Sequence, residues 1–258
     1  MRMIDDTPGA LAGRFHAARR DPDLAVLEGL HALKHAHRFG AALLEVVVSD
    51  GAATDLLATD LAPDVLPILE RAVRVAPGVF AQLAPVPHAT GVIALARRPQ
   101  VDVAGVLAGK SGAVVLLERP THAGNLGASV RVAAGAGAAA VITLGGEDPW
   151  SPPALRGGAG LQFALPVARI DDGSGTALLA GRARPLVAVH PEGEPLERNG
   201  LPLDAIYAFG SERTGLSESL LAQATRSVRI PMRAGVSSLN LSTAVAVILY
   251  SGITDTRA

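Results

Sequence analysis

Ala113-Val-Val-Leu-Leu-Glu118 runs directly into Arg-Pro-Thr-His-Ala-Gly-Asn-Leu-Gly-Ala-Ser-Val-Arg131. The first stretch is a continuous apolar run closed by a charge and a proline, the pattern of a strand buried on both faces in a parallel sheet. A helical run follows through Ala128–Gly137, then a second apolar run at Ala139–Leu144. Strand, helix and strand in that order predict a crossover unit and a parallel sheet. Further toward the C-terminus, Pro185–His190, Ala205–Gly210 and Ser227–Pro231 read as more strands of the same kind. Upstream, Val26–Gly40 has apolar residues at helical spacing, Leu43–Asp50 is a β-rich run and Asp55–Ala72 is helical but broken by prolines. Gly91–Pro99 is a strand closed by proline. Proline and polar residues near Pro99 mark a boundary. The chain therefore divides into a small N-terminal α/β module, 1–98, and a larger α/β domain, 105–258. No internal repeat is visible.

Composition narrows the classes. With 49% hydrophobic residues in 258, a large core is available and disorder is excluded. Aromatic residues are only 3%, so stacking on aromatic side chains is not the main source of any nucleic-acid affinity. There is no cysteine, which removes disulfide frameworks, thiolate zinc sites and cysteine nucleophiles, and favours a cytoplasmic location. The first thirty residues lack the apolar core of a signal peptide, and no run reaches the roughly 18 apolar residues of a membrane span. A net charge of -1 argues against coating nucleic acid by bulk electrostatics but leaves room for local basic groups such as Arg226, Arg229 and Arg233.

Three glycine or histidine patterns have ordinary accounts. Gly135-Ala-Gly137 imitates a dinucleotide fingerprint, but it closes a helix and precedes a strand, so it reads as a helix C-terminus. Gly210 and Gly215 have phosphate-loop spacing, yet Leu216-Ser217 follows instead of Lys-Ser or Lys-Thr. His31 and His35 are four apart, but the glutamate of a metalloprotease helix is missing and no metal is expected.

Three other segments each place glycine turns and a polar residue beside a strand end. They are Thr121–Arg131 with Asn125 and Arg131, Ala208–Ser217 with Glu212, and Ile230–Ala244 with Ser238 and Asn240. Singly, Asn125 or Asn240 reads as a helix cap and Glu212 as a solvated turn residue. Together and in this order they resemble the signatures of the SpoU (TrmH-like) RNA methyltransferases: N-x-G-x-x-x-R, G-x-E-x-x-G-L-S, and I-P-M followed by S-L-N-x-S. The resemblance covers about the last 150 residues, and Pro152–Arg156 with Leu165-Pro166 matches the family's middle segment. The N-terminal module, with Leu27-Glu-Gly29 and Gly91–Leu95, resembles the small ribosomal-protein-like substrate-binding domain often fused to it.

The resemblance implies a knotted parallel-sheet SPOUT domain with a trefoil knot, and transfer of a methyl group from S-adenosylmethionine to a ribose 2′-hydroxyl of rRNA or tRNA. It implies a homodimer, with neither metal nor membrane involved. It places the methyl donor against Gly210, Ile230 and Leu239, and puts Asn125, Arg131, Glu212, Ser238 and Asn240 at catalytic or RNA-contacting positions. Glycine at 210 would let the backbone approach the donor. A guanidinium resists deprotonation, so Arg131 is expected to stabilise a developing alkoxide and orient a phosphate, with Glu212 and Asn240 holding the loops or Arg131 itself. Ser211, Val132 and Gly157-Gly158 depart from the family pattern, and the glycine at 158 is expected to alter RNA positioning. Two other readings stay open: a protein that binds RNA or donor without transfer, and a methyltransferase with a non-RNA acceptor.

Overall fold

The computed structural model describes residues 7–50, 53–86, 90–197 and 200–252. The chain forms two compact units. Met1–Gln100 and Trp150–Ala164 make the first, Val101–Pro149 and Leu165–Ala258 the second.

The first unit is built on a four-stranded sheet. Its elements run α1 (Pro8–Ala18), β1 (Leu24–Glu28), α2 (Leu30–Arg38), β2 (Leu43–Ser49), α3 (Thr54–Leu61), α4 (Leu66–Glu70), β3 (Val73–Val75), α5 (Pro77–Leu83) and β4 (Val92–Arg97). The strand order is β1-β4-β2-β3, antiparallel except for the parallel β2–β3 pair. Leu11, Phe15, Val26, Val47, Phe80, Leu83 and Ile93 form one core, packing α1 and α5 on the sheet. The helix expected over Val26–Gly40 begins only at Leu30, because Val26–Glu28 pair with Ile93–Leu95 as a strand. Gly29 separates the two at φ 91°, a left-handed conformation that L side chains avoid.

The second unit opens with α6 (Val103–Ala108), β5 (Val114–Glu118), α7 (Ala123–Gly135) and β6 (Ala140–Leu144). The chain then contributes Trp150–Ala164, with α8 (Pro152–Gly157), to the first unit. It returns as β7 (Val167–Ile170), α9 (Asp172–Ala180), β8 (Leu186–Pro195), β9 (Ile206–Phe209), α10 (Glu218–Gln223), β10 (Arg226–Arg229) and α11 (Leu241–Ser251). Six strands in the order β10-β8-β9-β5-β6-β7 form a wholly parallel sheet, as the alternation of strands and helices predicts. Val114, Leu116, Ile142, Leu186 and Ile206 face Leu107, Leu179, Leu216 and Leu220 of one helical layer. On the other side α7 packs against β6 and α11, and α11 against β9. The glycine pair after α7 is a helix stop: Gly137 takes φ 70°, and Ala138 N–H bonds back to Ala133 O at 2.9 Å.

Within the first unit, the segment 150–164 is fastened by charge and by close packing. Glu28, whose side chain is 1% exposed, accepts from Arg19 and from Arg156 of α8. His35 Nδ1 lies 2.7 Å from Ala159 O, and a Cβ on Gly160 would sit 2.5 Å from Ala32 O. Gly158 also has a packing reason. A Cβ there would lie 2.6 Å from Oε1 of the fully buried Gln162, whose amide donates to Ala154 O.

No helix among the described residues is long and apolar enough to cross a membrane.

Candidate active site

All three signature segments start where strands of the six-stranded sheet end. β5 leads into Thr121–Arg131, β9 into Gly210–Ser217 and β10 into Ile230–Asn240. In an open parallel sheet the carboxyl ends of the strands are where ligands bind. Here the second and third segments enclose a cavity of about 440 Å³ lined by Val189, Phe209, Gly210, Ile230, Leu239 and Leu241, among others. The three positions expected to hold the donor, Gly210, Ile230 and Leu239, all lie on its wall, with Glu212 and Ser238 beside them.

The turn after β9 is self-bonded. Ser211 N–H and Gly215 N–H each donate to the other residue's carbonyl, at 3.2 and 3.1 Å, and Thr214 N–H donates to Ser211 Oγ at 3.1 Å. Ser211 is buried and does this local work. Gly215 closes the turn at φ 67°. Gly210 must be glycine for a reason the sequence alone does not give: a Cβ there would lie 2.0 Å from Gly215 C and 2.2 Å from Leu216 N. Its missing side chain lets the turn fold back on itself. Ser217 then caps α10 by accepting from Leu220 N–H at 3.3 Å.

A continuous polar chain runs along the rim. Thr121 donates to Glu212 Oε2 from its N–H at 3.2 Å and from its hydroxyl at 2.9 Å. Asn125 Nδ2 donates to Glu212 Oε1 at 3.2 Å. Asn240 Nδ2 donates to Asn125 Oδ1 at 2.9 Å, and Asn240 Oδ1 accepts from Ser242 N–H and Oγ at 2.9 and 2.7 Å. Asn240 is thus the cap of α11 and also a link between the first and third segments. Burial alone would raise the Glu212 carboxyl. Bonds from its own backbone, Asn125 and Thr121 outweigh that and hold it below the usual carboxylate range.

Arg131 stands apart. It lies six residues beyond Asn125 on α7, about 9 Å along the axis at 1.5 Å per residue, and roughly 120° around it. It is exposed and makes no hydrogen bond or ion pair among the described residues. Ser238 is exposed in the third loop. The structure therefore joins Asn125, Glu212 and Asn240 directly, brings Glu212 and Ser238 to one cavity, and leaves Arg131 unengaged.

Two residues at this edge carry more than the sequence reading assigned them. Thr121 supplies two of the bonds to Glu212, and its place as the first residue of the first motif was the available signal. Glu118 ends β5 with its side chain 5% exposed, accepting from Ser217 N–H at 2.7 Å and Arg119 Nη2 at 3.2 Å. Its signal was a carboxylate closing an otherwise apolar strand. Among the described residues no group of three or more His, Cys, Asp or Glu is placed to hold a metal ion.

Comparison with known proteins agrees with this geometry. A 23S rRNA (adenosine(1067)-2′-O)-methyltransferase of Streptomyces laurentii is 32% identical over 164 residues, 62% of this chain and 60% of that protein. The chain spans 51–60% of the length of the curated relatives it matches. A crystal structure of an RNA 2′-O ribose methyltransferase superposes with TM-score 0.76 at 28% identity, covering 97% of this chain and 96% of that one. The SpoU methyltransferase AviRb from Streptomyces viridochromogenes, in complex with AdoMet, superposes with TM-score 0.75 over 94% of this chain and 96% of that one. At 23% identity that likeness establishes the fold. The SpoU rRNA Methylase family profile matches residues 112–250, over half of the chain and all three segments that build the cavity and its rim. By that match and by the wholly parallel sheet that carries it, the chain belongs to the SpoU rRNA Methylase family.

Proposed function

We propose that this protein is an S-adenosylmethionine-dependent RNA methyltransferase that modifies a ribose 2′-hydroxyl of rRNA or tRNA. The observation that carries the reading is the cavity formed by the second and third signature segments, with the Thr121–Glu212–Asn125–Asn240 chain on its rim. The donor fits what is present. The volume of about 440 Å³ is in the range of small-molecule sites, the wall offers Val189, Phe209, Ile230 and Leu239 to an adenine-sized group, and Glu212 supplies negative charge near a sulfonium. When bound, S-adenosylmethionine supplies an electrophilic methyl group.

The chain's own residues supply position and charge. Gly210, Ile230 and Leu239 hold the donor, and the loop 230–240 keeps water from it. Arg131, free of protein partners among the described residues, meets the acceptor, where a fixed cation stabilises negative charge growing on the attacking oxygen. Asn125, Glu212 and Asn240 fix the loops that orient both substrates, and Ser238 contacts the acceptor at the mouth of the cavity. The hydroxyl proton leaves to solvent or to a substrate group, since a guanidinium is a poor base.

The rest of the reading follows from the family. Residues 105–258 act as the methyltransferase domain with a trefoil knot, consistent with the close threading at Gly193, where a Cβ would lie 2.5 Å from Val228 N. Residues 1–98 act as a ribosomal-protein-like RNA-binding domain. The protein works in the cytoplasm as a homodimer. Val245, Ile248 and Leu249 of α11 are used in their own core, so the dimer draws on the exposed Met232, Val236 and Tyr250.

Mapping 2′-O-methyl marks in RNA from cells with and without this gene tests the activity. Disappearance of a single mark supports it, and identical maps together with no donor binding by the folded protein overturn it.

A further inference from the structure

We propose that Glu118 is a positioning residue for the donor cavity, an anionic latch that sets the second signature segment against β5. The proposal rests on the methyltransferase reading for the identity of the ligand, but its geometry does not depend on that reading. Four apolar residues, Val114–Leu117, precede Glu118 in β5, and an apolar side chain there would serve the core as its neighbours do. A carboxylate takes that place, buried to 5% exposure of its side chain. One oxygen accepts from Ser217 N–H at 2.7 Å, at the end of the G-x-E-x-x-G-L-S segment. The other accepts from Arg119 at 3.2 Å.

The Ser217 bond reaches the wall directly. Gly215 and Leu216, the two residues before Ser217, line the cavity, and Gly210 packs on both of them with no room for a Cβ. Movement of Ser217 therefore moves the wall. Thr121, three residues beyond Glu118, grips Glu212 of the same turn. Two ties thus join the loop after β5 to the turn after β9, and Glu118 is the buried one.

A second observation shows that the charged pair is held against a backbone cost. Arg119 adopts φ 46°, a left-handed conformation unfavourable for a bulky side chain. Space for it comes from Gly145 and Gly146. A Cβ on Gly145 would lie 3.3 Å from Arg119 Cγ, and one on Gly146 2.7 Å from Arg119 C. Strain kept in place by its surroundings is a feature of functional loops. Arg119 is half exposed, so it meets Glu118 from the solvent side while Ser217 holds it from within.

The test uses the full-length protein and two variants. Glu118→Gln keeps the shape but has one acceptor oxygen, so it can serve Ser217 or Arg119 and not both. Arg119→Gly removes the outer partner and relieves the backbone, leaving the Ser217 bond. S-adenosylhomocysteine binding is followed by calorimetry, and amide hydrogen exchange is read over residues 210–217 and over β6 and β7. For Glu118→Gln the expected results are affinity about tenfold weaker and exchange in 210–217 about tenfold faster, with β6 and β7 unchanged. Arg119→Gly should bind within about twofold of wild type. Unchanged binding and exchange in Glu118→Gln overturn the latch. So does equal loss in Arg119→Gly, or faster exchange throughout the sheet. Should the wild type bind no donor, the methyltransferase reading fails and the exchange measurement alone decides the latch.

Discussion

Each unit ends a buried strand with a glutamate, and the two carboxylates are treated in opposite ways. Glu28 closes β1 and is clamped by two arginines, Arg19 and Arg156, all three within the first unit. Glu118 closes β5 with one half-exposed arginine and a backbone N–H from the turn that walls the cavity. Removing one member of a buried pair leaves an uncompensated charge, so the first arrangement is a structural clamp. The second spends half of its bonding on a loop and couples folding to the shape of a site. The difference teaches that a buried charge speaks of function through what holds it, and not through its burial alone.

That contrast can be broken most directly at Glu28. Glu28→Ala strands Arg19, whose side chain is 14% exposed, and should lower the stability of the first unit by about 3–5 kcal/mol. Urea unfolding with exchange of the β1 and β4 amides measures it. A loss below about 1 kcal/mol would remove the clamp from the account. Donor binding in the second unit should persist under conditions where the variant is folded.

Next in size is Arg131→Ala, expected to cut single-turnover methylation about a hundredfold, on the order of 3 kcal/mol, while donor affinity stays near wild type. Lysine should restore part of the rate, because a point charge lacks the planar fork of the guanidinium. Equal losses in rate and binding would instead make Arg131 part of the pocket's structure. Asn240→Ala removes both the cap of α11 and the link to Asn125, and should cost about 1 kcal/mol in thermal unfolding. An unchanged melting temperature would show the rim chain to be idle.

The smallest effect belongs to Glu212. Its folded carboxyl is held below the ordinary value of about 4.3, so its stabilisation is complete above that pH and fades as pH falls through the lowered folded value. The stability gap between wild type and Glu212→Gln should therefore be widest near about pH 7 and shrink toward about pH 3. A gap that grows on acidification would reverse the sign and discard the three-donor account.

The sheet of the second unit was legible because parallel strands buried on both faces leave continuous apolar runs, such as Val114–Leu117 and Ala140–Leu144. The candidate site was legible as three motifs, and the structure brings Gly210, Ile230 and Leu239 to one cavity. What stayed hidden depended on distant partners. Val26–Glu28 shares apolar spacing with α2, and only its pairing with β4, some 65 residues on, makes it a strand. The glycine requirement at 210 follows from a turn folding back on itself, and Arg131's separation from Asn125 follows from helical rotation, neither of which a motif displays.

The segment 150–164 has a consequence in time as well as in space. A ribosome releases the chain from its N-terminus, so β1 to β4 emerge complete well before Arg156, Ala159 and Gly160 do. Until those residues arrive, Glu28 has one cation in place of two, and Ala32 and His35 lack the backbone that packs on them. At about 5–20 residues per second the wait lasts several seconds, longer than the folding of most small domains. The N-terminal unit therefore finishes folding only after synthesis has passed β5, α7 and β6 of the other unit, and the maturation of the two is interleaved by the order of the chain itself.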